Sequence, residues 1–230
     1  MLYFRKHIFG LLALVISISL GVYIIFNEPI DIVAKNIDSV VNITTTDGIG
    51  TGVIISSKGI IITNAHVVLK DATTLTDKIT VTFTNSNEIA GIVLYYNKDK
   101  DLAVIKIETK DILSVSKLEC VFKPKLGETV IAVGNPFGTL SWTVTKGIIS
   151  SLTRELLSSY PIVYQSDVLA VSGNSGGPVY NLQGKIIGLV FAVWKYNGGS
   201  TFSGHTFILP AIDICKTLNY WNIQYEGRNT

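Results

Sequence analysis

The amino-acid sequence predicts an all-β fold, either a sandwich or a pair of barrels. Short runs rich in Val, Ile and Thr recur along residues 38–209, and Gly, Asn, Asp and Pro separate them. Runs of this kind are typical of strands joined by tight turns, and the 20 glycines of the chain fit such turns. The long amphipathic helices that connect parallel strands are missing from the sequence, which argues against βαβ units.

The predicted strands form two series, separated by a linker at residues 108–128. Pro210 begins a predicted helix that ends near Tyr220, the one helix expected beyond the N-terminal segment. The first series comprises residues 38–46, 50–56, 59–63, 78–84, 88–96 and 101–107, and the second comprises residues 129–134, 142–152, 161–166, 177–181, 185–193 and 204–209.

The composition excludes several classes of protein. The chain is 47% hydrophobic and 16% charged, whereas disordered chains are highly charged and poor in apolar residues. Two cysteines cannot build a disulfide-dense scaffold. A net charge of +2 without a Lys/Arg cluster gives no surface for nucleic acid. No H-x-x-H or C-x-x-C motif occurs, so we expect neither a metal nor another cofactor.

Residues 8–26 form an uncharged apolar segment near the N-terminus. As a helix this segment is about 28 Å long, close to the ~30 Å hydrocarbon core of a bilayer. Because Arg5 and Lys6 precede it, the positive-inside rule places residues 1–7 in the cytoplasm and the chain after residue 27 outside. We therefore expect a single-pass membrane anchor.

A cleaved signal peptide is the alternative interpretation of this segment. Ser17 and Ser19 resemble a weak cleavage site, but they lie inside the apolar run rather than at its end. The length of the run favours the uncleaved anchor. A polar connector at residues 27–37 then leads to the β region.

The strongest chemical signal is the glycine-rich segment 173–178, GNSGGP. Three glycines around Ser175 allow unusual backbone dihedral angles and leave little side-chain bulk. Such a loop exposes the serine hydroxyl and gathers backbone N–H groups into an oxyanion pocket, as acyl transfer requires. A simple Gly/Ser turn remains the alternative for the motif taken alone.

A nucleophilic serine needs a base and a group that orients the base. Of the three histidines, His66 follows a continuous apolar strand and is the candidate base, although a lone histidine is often structural. Asp101 heads the apolar segment 101–107, where a buried carboxylate needs a partner such as an imidazole N–H. Asp99, which lies between two lysines, is the rival acid.

The order His66, Asp101, Ser175 resembles that of serine peptidases of the chymotrypsin fold. The surrounding motifs resemble the HtrA/Deg branch of that family, and they cover residues 48–210. They are GTGVII (50–55), TNAHVV (63–68), DLAVIK (101–106), GNPFG (134–138), GIIS (147–150), QSD (165–167), GNSGGP (173–178) and GKIIG (184–188).

The resemblance implies two six-stranded β-barrels with an active site between them. The first barrel and the linker would occupy residues 38–120, the second barrel 121–210, and a C-terminal helix and tail 211–230. The backbone N–H groups of Gly173 and Ser175 would form the oxyanion hole. Protein or peptide substrates would add as an extended strand along residues 190–193.

The resemblance also implies a pocket for the side chain that precedes the cleaved bond. Leu169 stands six residues before Ser175, where trypsin-like enzymes that bind Arg or Lys have Asp. Asp167 matches an Asp that HtrA-like sequences also have, so it is not expected in the pocket. The remaining lining residues are expected to be Val190, Phe191, Ala192, Val193 and Thr206. This apolar lining predicts cleavage after small or medium aliphatic residues.

Two features depart from the family pattern. HtrA-like proteins usually carry PDZ domains after the peptidase, and about twenty residues follow Pro210, so we expect no PDZ domain here. Family trimers use segments N-terminal to the peptidase domain, and the connector here is short, so the oligomeric state stays open, a trimer included. The predicted function is a membrane-tethered serine endopeptidase of a bacterial envelope. The alternative is a tethered peptide-binding or chaperone-like module with latent catalysis.

Cys120 and Cys215 lie in the predicted linker and the C-terminal helix. An oxidising envelope permits a disulfide between these two regions, which chymotrypsin-fold enzymes can bring together. Two buried free thiols are an equally good interpretation of the sequence.

We predict that the full chain stays in the membrane fraction after carbonate extraction. The uncharged run 8–26 is long enough to span a bilayer as an uncleaved helix. Recovery of a soluble mature protein that begins near residue 20 would instead identify a signal peptide.

Overall fold

The computed structural model of the protein describes residues 29–71, 73–155, 162–196 and 200–228, with the backbone alone for 192–196 and 200–204. In these residues no helix is both long enough and apolar enough to cross a membrane. The predicted anchor at 8–26 lies outside the described residues.

The described residues form three α-helices and thirteen strands. The helices are α1 (Pro29–Asn36), α2 (Ala65–Val68) and α3 (Ala211–Tyr220), with short 3₁₀ helices at Ile37–Ser39 and Pro136–Gly138. The strands are β1 (Val40–Thr45), β2 (Ile49–Ser56), β3 (Ile60–Thr63), β4 (Ile79–Thr82), β5 (Glu88–Asn97), β6 (Leu102–Ile107), β7 (Lys117–Leu118), β8 (Thr129–Gly134), β9 (Thr143–Arg154), β10 (Val163–Ser166), β11 (Pro178–Tyr180), β12 (Lys185–Tyr196) and β13 (Ser200–Pro210).

The strands build two six-stranded barrels, as expected. The first barrel has the order β1-β2-β3-β6-β5-β4 and closes where β1 pairs with β4, Ile43 opposite Val81. The second has the order β11-β8-β9-β10-β13-β12 and closes where β11 pairs with β12, Val179 opposite Gly188. A seventh strand, β7, adds in parallel to β12. It comes from the predicted linker, where no strand was expected.

The two barrels share an apolar layer in addition to their own interiors. In β2 and β3, Ile54 and Ile61 point into the first barrel, whereas Val53, Ile55 and Ile62 belong to the shared layer. Because both faces of these strands are buried, their sequence is continuously apolar instead of alternating. The shared layer thereby fixes the position of one barrel relative to the other.

Helix α1 lies within the predicted connector 27–37, where the sequence indicated no helix. Pro29 begins the helix, a position that Pro favours, and Ile32 packs into the shared layer. The buried Asn36 side chain ends the helix by donating to the Ile32 carbonyl at 2.9 Å and by accepting from Ser116 Oγ at 2.9 Å. The expectation of one helix beyond the N-terminal segment was wrong, since both α1 and α2 precede α3.

Tyr180 joins the hydrogen-bond network of Asn36 and Ser116. Its hydroxyl lies 3.0 Å from Ser116 Oγ, and its side chain is fully buried. Burial raises the pKa of Tyr180 to about 12, so the hydroxyl stays protonated and available as a donor. The network explains how a polar N-terminal segment can pack against the shared layer.

Cys120 and Cys215 form a disulfide between the linker and α3. Their Cα atoms lie 5.8 Å apart, although the residues are 95 positions apart in the sequence. Of the two interpretations that the sequence left open, the structure has the bridge. The bond ties the C-terminal helix to the segment that joins the barrels.

Glu119, next to this disulfide, is a buried carboxylate with several partners. Its Oε2 lies 2.8 Å from Lys185 Nζ, and its Oε1 accepts the N–H groups of Val121 and Phe122 at 3.2 Å each. Burial alone would raise the pKa of Glu119, but the bonds from Lys185 and the two amides outweigh burial and lower it. The charged form of Glu119 is therefore the one that the fold stabilises.

We predict that replacing both Cys120 and Cys215 by Ser lowers the free energy of unfolding by about 4–5 kcal/mol, the entropic-model value for so long a loop. Chemical denaturation of the wild type with and without reductant provides the comparison. Detection of two free thiols in the denatured, unreduced wild type would show that the bridge is absent.

We predict that Glu119→Gln lowers the free energy of unfolding at neutral pH by about 1.5–3 kcal/mol, the value of hydrogen bonds to a charged group. Because the folded state lowers the pKa of Glu119, its contribution is present above the ordinary pKa of Glu and is lost as the pH falls through the folded-state value. Denaturation curves of variant and wild type should converge in acid. A difference that does not depend on pH would contradict the ionic role.

Candidate active site

His66 and Asp101 meet at one end of the first barrel. His66 lies in α2, directly after β3, and Asp101 ends the turn between β5 and β6. Asp101 Oδ2 lies 2.7 Å from His66 Nδ1, and Asp101 Oδ1 accepts the backbone N–H of His66 at 2.9 Å. The two bonds fix both the backbone and the ring of His66 against one carboxylate. Asp99, the rival acid, is exposed.

The pair is asymmetric in its exposure to solvent. The Asp101 side chain is 6% exposed and that of His66 is 50% exposed. With Nδ1 turned toward the buried carboxylate, the other ring nitrogen, Nε2, is left for chemistry. This is the geometry that a general base needs.

Asp101 adopts a left-handed backbone conformation, with φ of 46°. Few non-glycine residues do so, and Asp is one of the better tolerated. The turn is fixed by the Asp101 N–H bond to the Lys98 carbonyl at 3.1 Å. Asn64 holds it from the other side, since its side chain donates to the Asp101 carbonyl at 3.0 Å. Sequence reasoning did not identify Asn64, although it stands two residues before His66.

The Ser175 loop belongs to the second barrel but is bonded to the first. Thr51 in β2 donates its N–H to the Ser175 carbonyl at 2.9 Å and its hydroxyl to the Gly173 carbonyl at 2.8 Å. Gly176 has φ of 83°, and a Cβ there would collide with Thr51 O and Thr63 Oγ1. Thr63 is the last residue of β3, three positions before His66. These contacts bring the Ser175 loop against the strand end that leads to His66.

Thr51 is a positioning residue that sequence reasoning missed. It stands between two glycines of the motif 50–55. That motif supports the family resemblance, but it indicates no role for the Thr51 side chain. In the described residues, Ser175 Oγ makes no hydrogen bond to the His66 ring. Catalytic hydrogen bonds are often long without substrate and tighten in its presence.

The backbone N–H groups of Gly173 and Ser175 donate to no group in the described part of the chain. The carbonyl of Ser172 accepts the N–H of Phe137 at 2.8 Å. In a trans peptide the carbonyl and the following N–H point in opposite directions, so this bond turns the Gly173 N–H away from Phe137. Two unused donors beside Ser175 are suited to bind an oxyanion.

The residues expected to line the specificity pocket differ in their exposure to solvent. Leu169 is exposed, and Thr206 is buried with its hydroxyl donating to the Val168 carbonyl at 2.6 Å. Val190 and Phe191 are buried in apolar clusters. The backbones of Ala192 and Val193 lie in β12 opposite Phe207 and Thr206, and their side chains are outside the described part.

Asp167, which the sequence analysis did not expect in the pocket, is bonded to the backbone of β9. Its carboxylate accepts the backbone N–H of Ile148 in β9 at 2.6 Å. A Cβ at Gly147 would collide with this carboxylate, which explains the glycine. In the described ranges, no three His, Cys, Asp or Glu side chains come together to hold a metal ion.

Comparison with known proteins identifies the family. The family described as "Trypsin-like peptidase domain" matches residues 50–189. A "Probable periplasmic serine endoprotease DegP-like" of Hahella chejuensis is 38% identical over 173 residues, which is 74% of this chain and 35% of that protein. A protein of the same description from Rickettsia conorii is 36% identical over 167 residues, 71% of this chain and 32% of that protein. The chain thus spans about a third of the length of these curated relatives.

Solved structures give the same result. The "HtrA-type protease AlgW with tripeptide" has a TM-score of 0.72 and 32% identity, covering 84% of this chain and 64% of that one. The serine endoprotease from Yersinia pestis has a TM-score of 0.70 and 30% identity, covering 82% and 64%. With its two barrels and these relatives, the chain belongs to the trypsin-like serine peptidases of the HtrA/DegP type.

Proposed function

We propose that the protein is a membrane-tethered serine endopeptidase that hydrolyses unfolded or extended protein segments. Ser175 is the nucleophile, His66 the general base and Asp101 the group that orients the base. The observation that carries the proposal is the pair of hydrogen bonds, 2.7 and 2.9 Å, by which buried Asp101 holds His66 beside the Ser175 loop.

The geometry suits acyl transfer step by step. Asp101 accepts a hydrogen bond from His66 Nδ1–H, which keeps that proton on Nδ1 and leaves the Nε2 lone pair to take the hydroxyl proton as Ser175 Oγ bonds to the scissile carbonyl carbon. The carbonyl oxygen becomes an oxyanion between the N–H groups of Gly173 and Ser175. His66 then returns the proton to the leaving amine as the C–N bond breaks. Water, deprotonated by His66, hydrolyses the acyl-enzyme in the same way.

Substrate enters as an added strand on β12. β11 pairs with β12 only as far as Leu189, and Val190 exchanges backbone bonds of 2.9 and 2.8 Å with Gly176 and Gly177. At residues 192–193, β13 pairs with one edge of β12. Among the described residues, no strand pairs there with the other edge, the one that β11 occupies up to Leu189. An extended peptide placed there lies next to Ser175, and main-chain pairing of this kind does not depend on sequence.

The tether and the compartment rest on two observations. The run 8–26 is long enough to span a bilayer, with its positive flank on the cytoplasmic side. The Cys120–Cys215 disulfide is typical of an oxidising compartment such as a bacterial periplasm. Both observations support a position of the barrels outside the cytoplasm.

A second candidate is a tethered peptide-binding or chaperone-like module with latent catalysis. It is favoured by one observation, the missing hydrogen bond between Ser175 Oγ and His66 in the described residues. A fluorophosphonate probe, which needs an activated serine, separates the two. Rapid labelling of Ser175 supports the peptidase, and absence of labelling supports the latent module.

We predict that Ser175→Ala and His66→Ala each lower kcat by several orders of magnitude, because nucleophile and base act as a unit. Asp101→Asn should cost about 10⁴-fold, because an amide favours the wrong tautomer of His66. Cleavage of an unfolded protein substrate is the measurement.

Two matched controls accompany these variants. Ser57→Ala and Asp99→Asn change exposed residues of the same type and should leave activity unchanged. Normal cleavage by Ser175→Ala, or equal losses in Asp99→Asn and Asp101→Asn, would show that the assignment is wrong.

We predict that a peptide library is cleaved after Val, Ala, Ile or Leu. A pocket with Leu169 and Thr206 offers no partner for a buried cation, and single methylene groups change the preference by about 1–3 kcal/mol. Leu169→Asp should shift cleavage toward Arg and Lys, whereas Ile92→Asp, on an exposed position of β5, should not. A wild-type preference for Arg or Lys would overturn the pocket.

A further inference from the structure

Residues 121–126, which we call the linker loop, present three large apolar side chains to solvent. Val121, Phe122 and Leu126 are 68%, 72% and 65% exposed. Lys123 and Lys125, both exposed, lie between them. Apolar side chains grouped on a surface mark contact with a membrane or with another protein.

The linker loop is held rigidly at its start. Cys120, immediately before it, is bonded to Cys215 of α3. The buried carboxylate of Glu119 accepts the N–H groups of Val121 and Phe122, the two most exposed of the three apolar residues. The backbone beneath these side chains is therefore ordered before any partner arrives.

The end of the linker loop is held in the same way. Glu128 Oε2 accepts the backbone N–H of Lys125 at 2.8 Å, and Gly127 N–H donates to the Ile149 carbonyl at 2.9 Å. Pro124, in the middle of the loop, is buried. A preorganised loop loses little conformational entropy on docking, so more of the binding energy of its exposed side chains is retained.

We propose that the linker loop docks onto the anionic lipid surface of the membrane that tethers the domain. This inference rests on the tether in the proposed function. Phe122, Lys123 and Lys125 line one cleft, whose other charged residues are Glu128 and the ion pair of Lys185 with Glu119. The linker loop thus carries two lysines beside its exposed apolar side chains. Lysine near an anionic bilayer strengthens binding about fivefold per residue, and apolar side chains beside it enter the interface.

The proposed tether leads into α1, and the far end of α1 contacts the linker. α1 begins at Pro29, just after the apolar run ends at Phe26. Asn36, at the other end of α1, bonds to Ser116, four residues before Cys120. Because a tethered domain meets its own membrane at high local concentration, a weak lipid-binding loop is sufficient. A tether alone lets the barrels rotate, and docking of the linker loop fixes the orientation of their cleft above the bilayer.

The test uses the full chain in nanodiscs of phosphatidylethanolamine and phosphatidylglycerol, with and without brominated acyl chains. Phe122→Trp adds an emitter to the linker loop, and its emission is measured as the difference from the parent protein. We expect brominated lipid to remove most of this added emission. Lys123→Glu with Lys125→Glu in the same background should restore it.

Ile112→Trp is the matched control. Ile112 is fully exposed and belongs to the same linker between the two barrels in the sequence. The cleft that it lines contains Asp38 and Asp111 and no lysine. Its added emission should be unaffected by brominated lipid. Equal quenching at both positions, or none at 122, would overturn the docking.

Two further readouts keep the explanations apart. The emission of Trp at position 122 could be blue-shifted without being quenched by brominated lipid. If that shift also grows with protein concentration, the loop contacts a second copy of the chain, and lipid docking is overturned. A chain that does not remain in nanodiscs would overturn the tether and the docking with it. Fluorophosphonate labelling of Ser175 in the same samples reports on the peptidase proposal alone.

Discussion

The attachment of the Ser175 loop to β2 is the constraint on which the candidate site depends. His66 and Asp101 are held by the first barrel, and Ser175 is held by the second, so no single barrel contains the site. Thr51 joins them with a backbone bond to Ser175 and a side-chain bond to Gly173. The shared apolar layer holds the two barrels together. The two bonds of Thr51 fix the position of the Ser175 loop relative to β2, because hydrogen bonds tolerate only small changes in distance and angle.

The unequal burial of Asp101 and His66 has an electrostatic consequence. A carboxylate with so little exposure is screened weakly by water, so its interaction with a protonated imidazole is strong. The ring of His66 is half-exposed to solvent, as the base of the proposed mechanism requires. In the proposed mechanism, Asp101 stabilises the positive charge of protonated His66 from the buried side of the ring. Proton transfer takes place at Nε2, on the side that faces solvent.

The strand patterns predicted an all-β sandwich or pair of barrels because apolar runs and turns are local features, and the family resemblance implied the two six-stranded barrels. The sequence indicated His66, Asp101 and Ser175 as candidate catalytic residues because each stands in a distinctive local motif. It missed α1, whose stability comes from Ile32 in the shared layer and from Asn36 bonded to Ser116, a contact between residues 80 positions apart. It missed β7 and the role of Thr51 for the same reason, since both depend on partners that are distant in sequence.

The shared layer also determines when the site can be assembled. Ile214, Leu218, Ile223 and Tyr225 contribute to it, and Glu226 N–H bonds to the Ile55 carbonyl in β2 at 2.9 Å. A growing chain that has made both barrels but not residues 211–226 therefore lacks part of the surface that aligns them. Because contacts so distant in sequence form late, assembly of the cleft waits for this segment. Until then, the strand ends that carry His66 and the Ser175 loop lack part of the framework that aligns them.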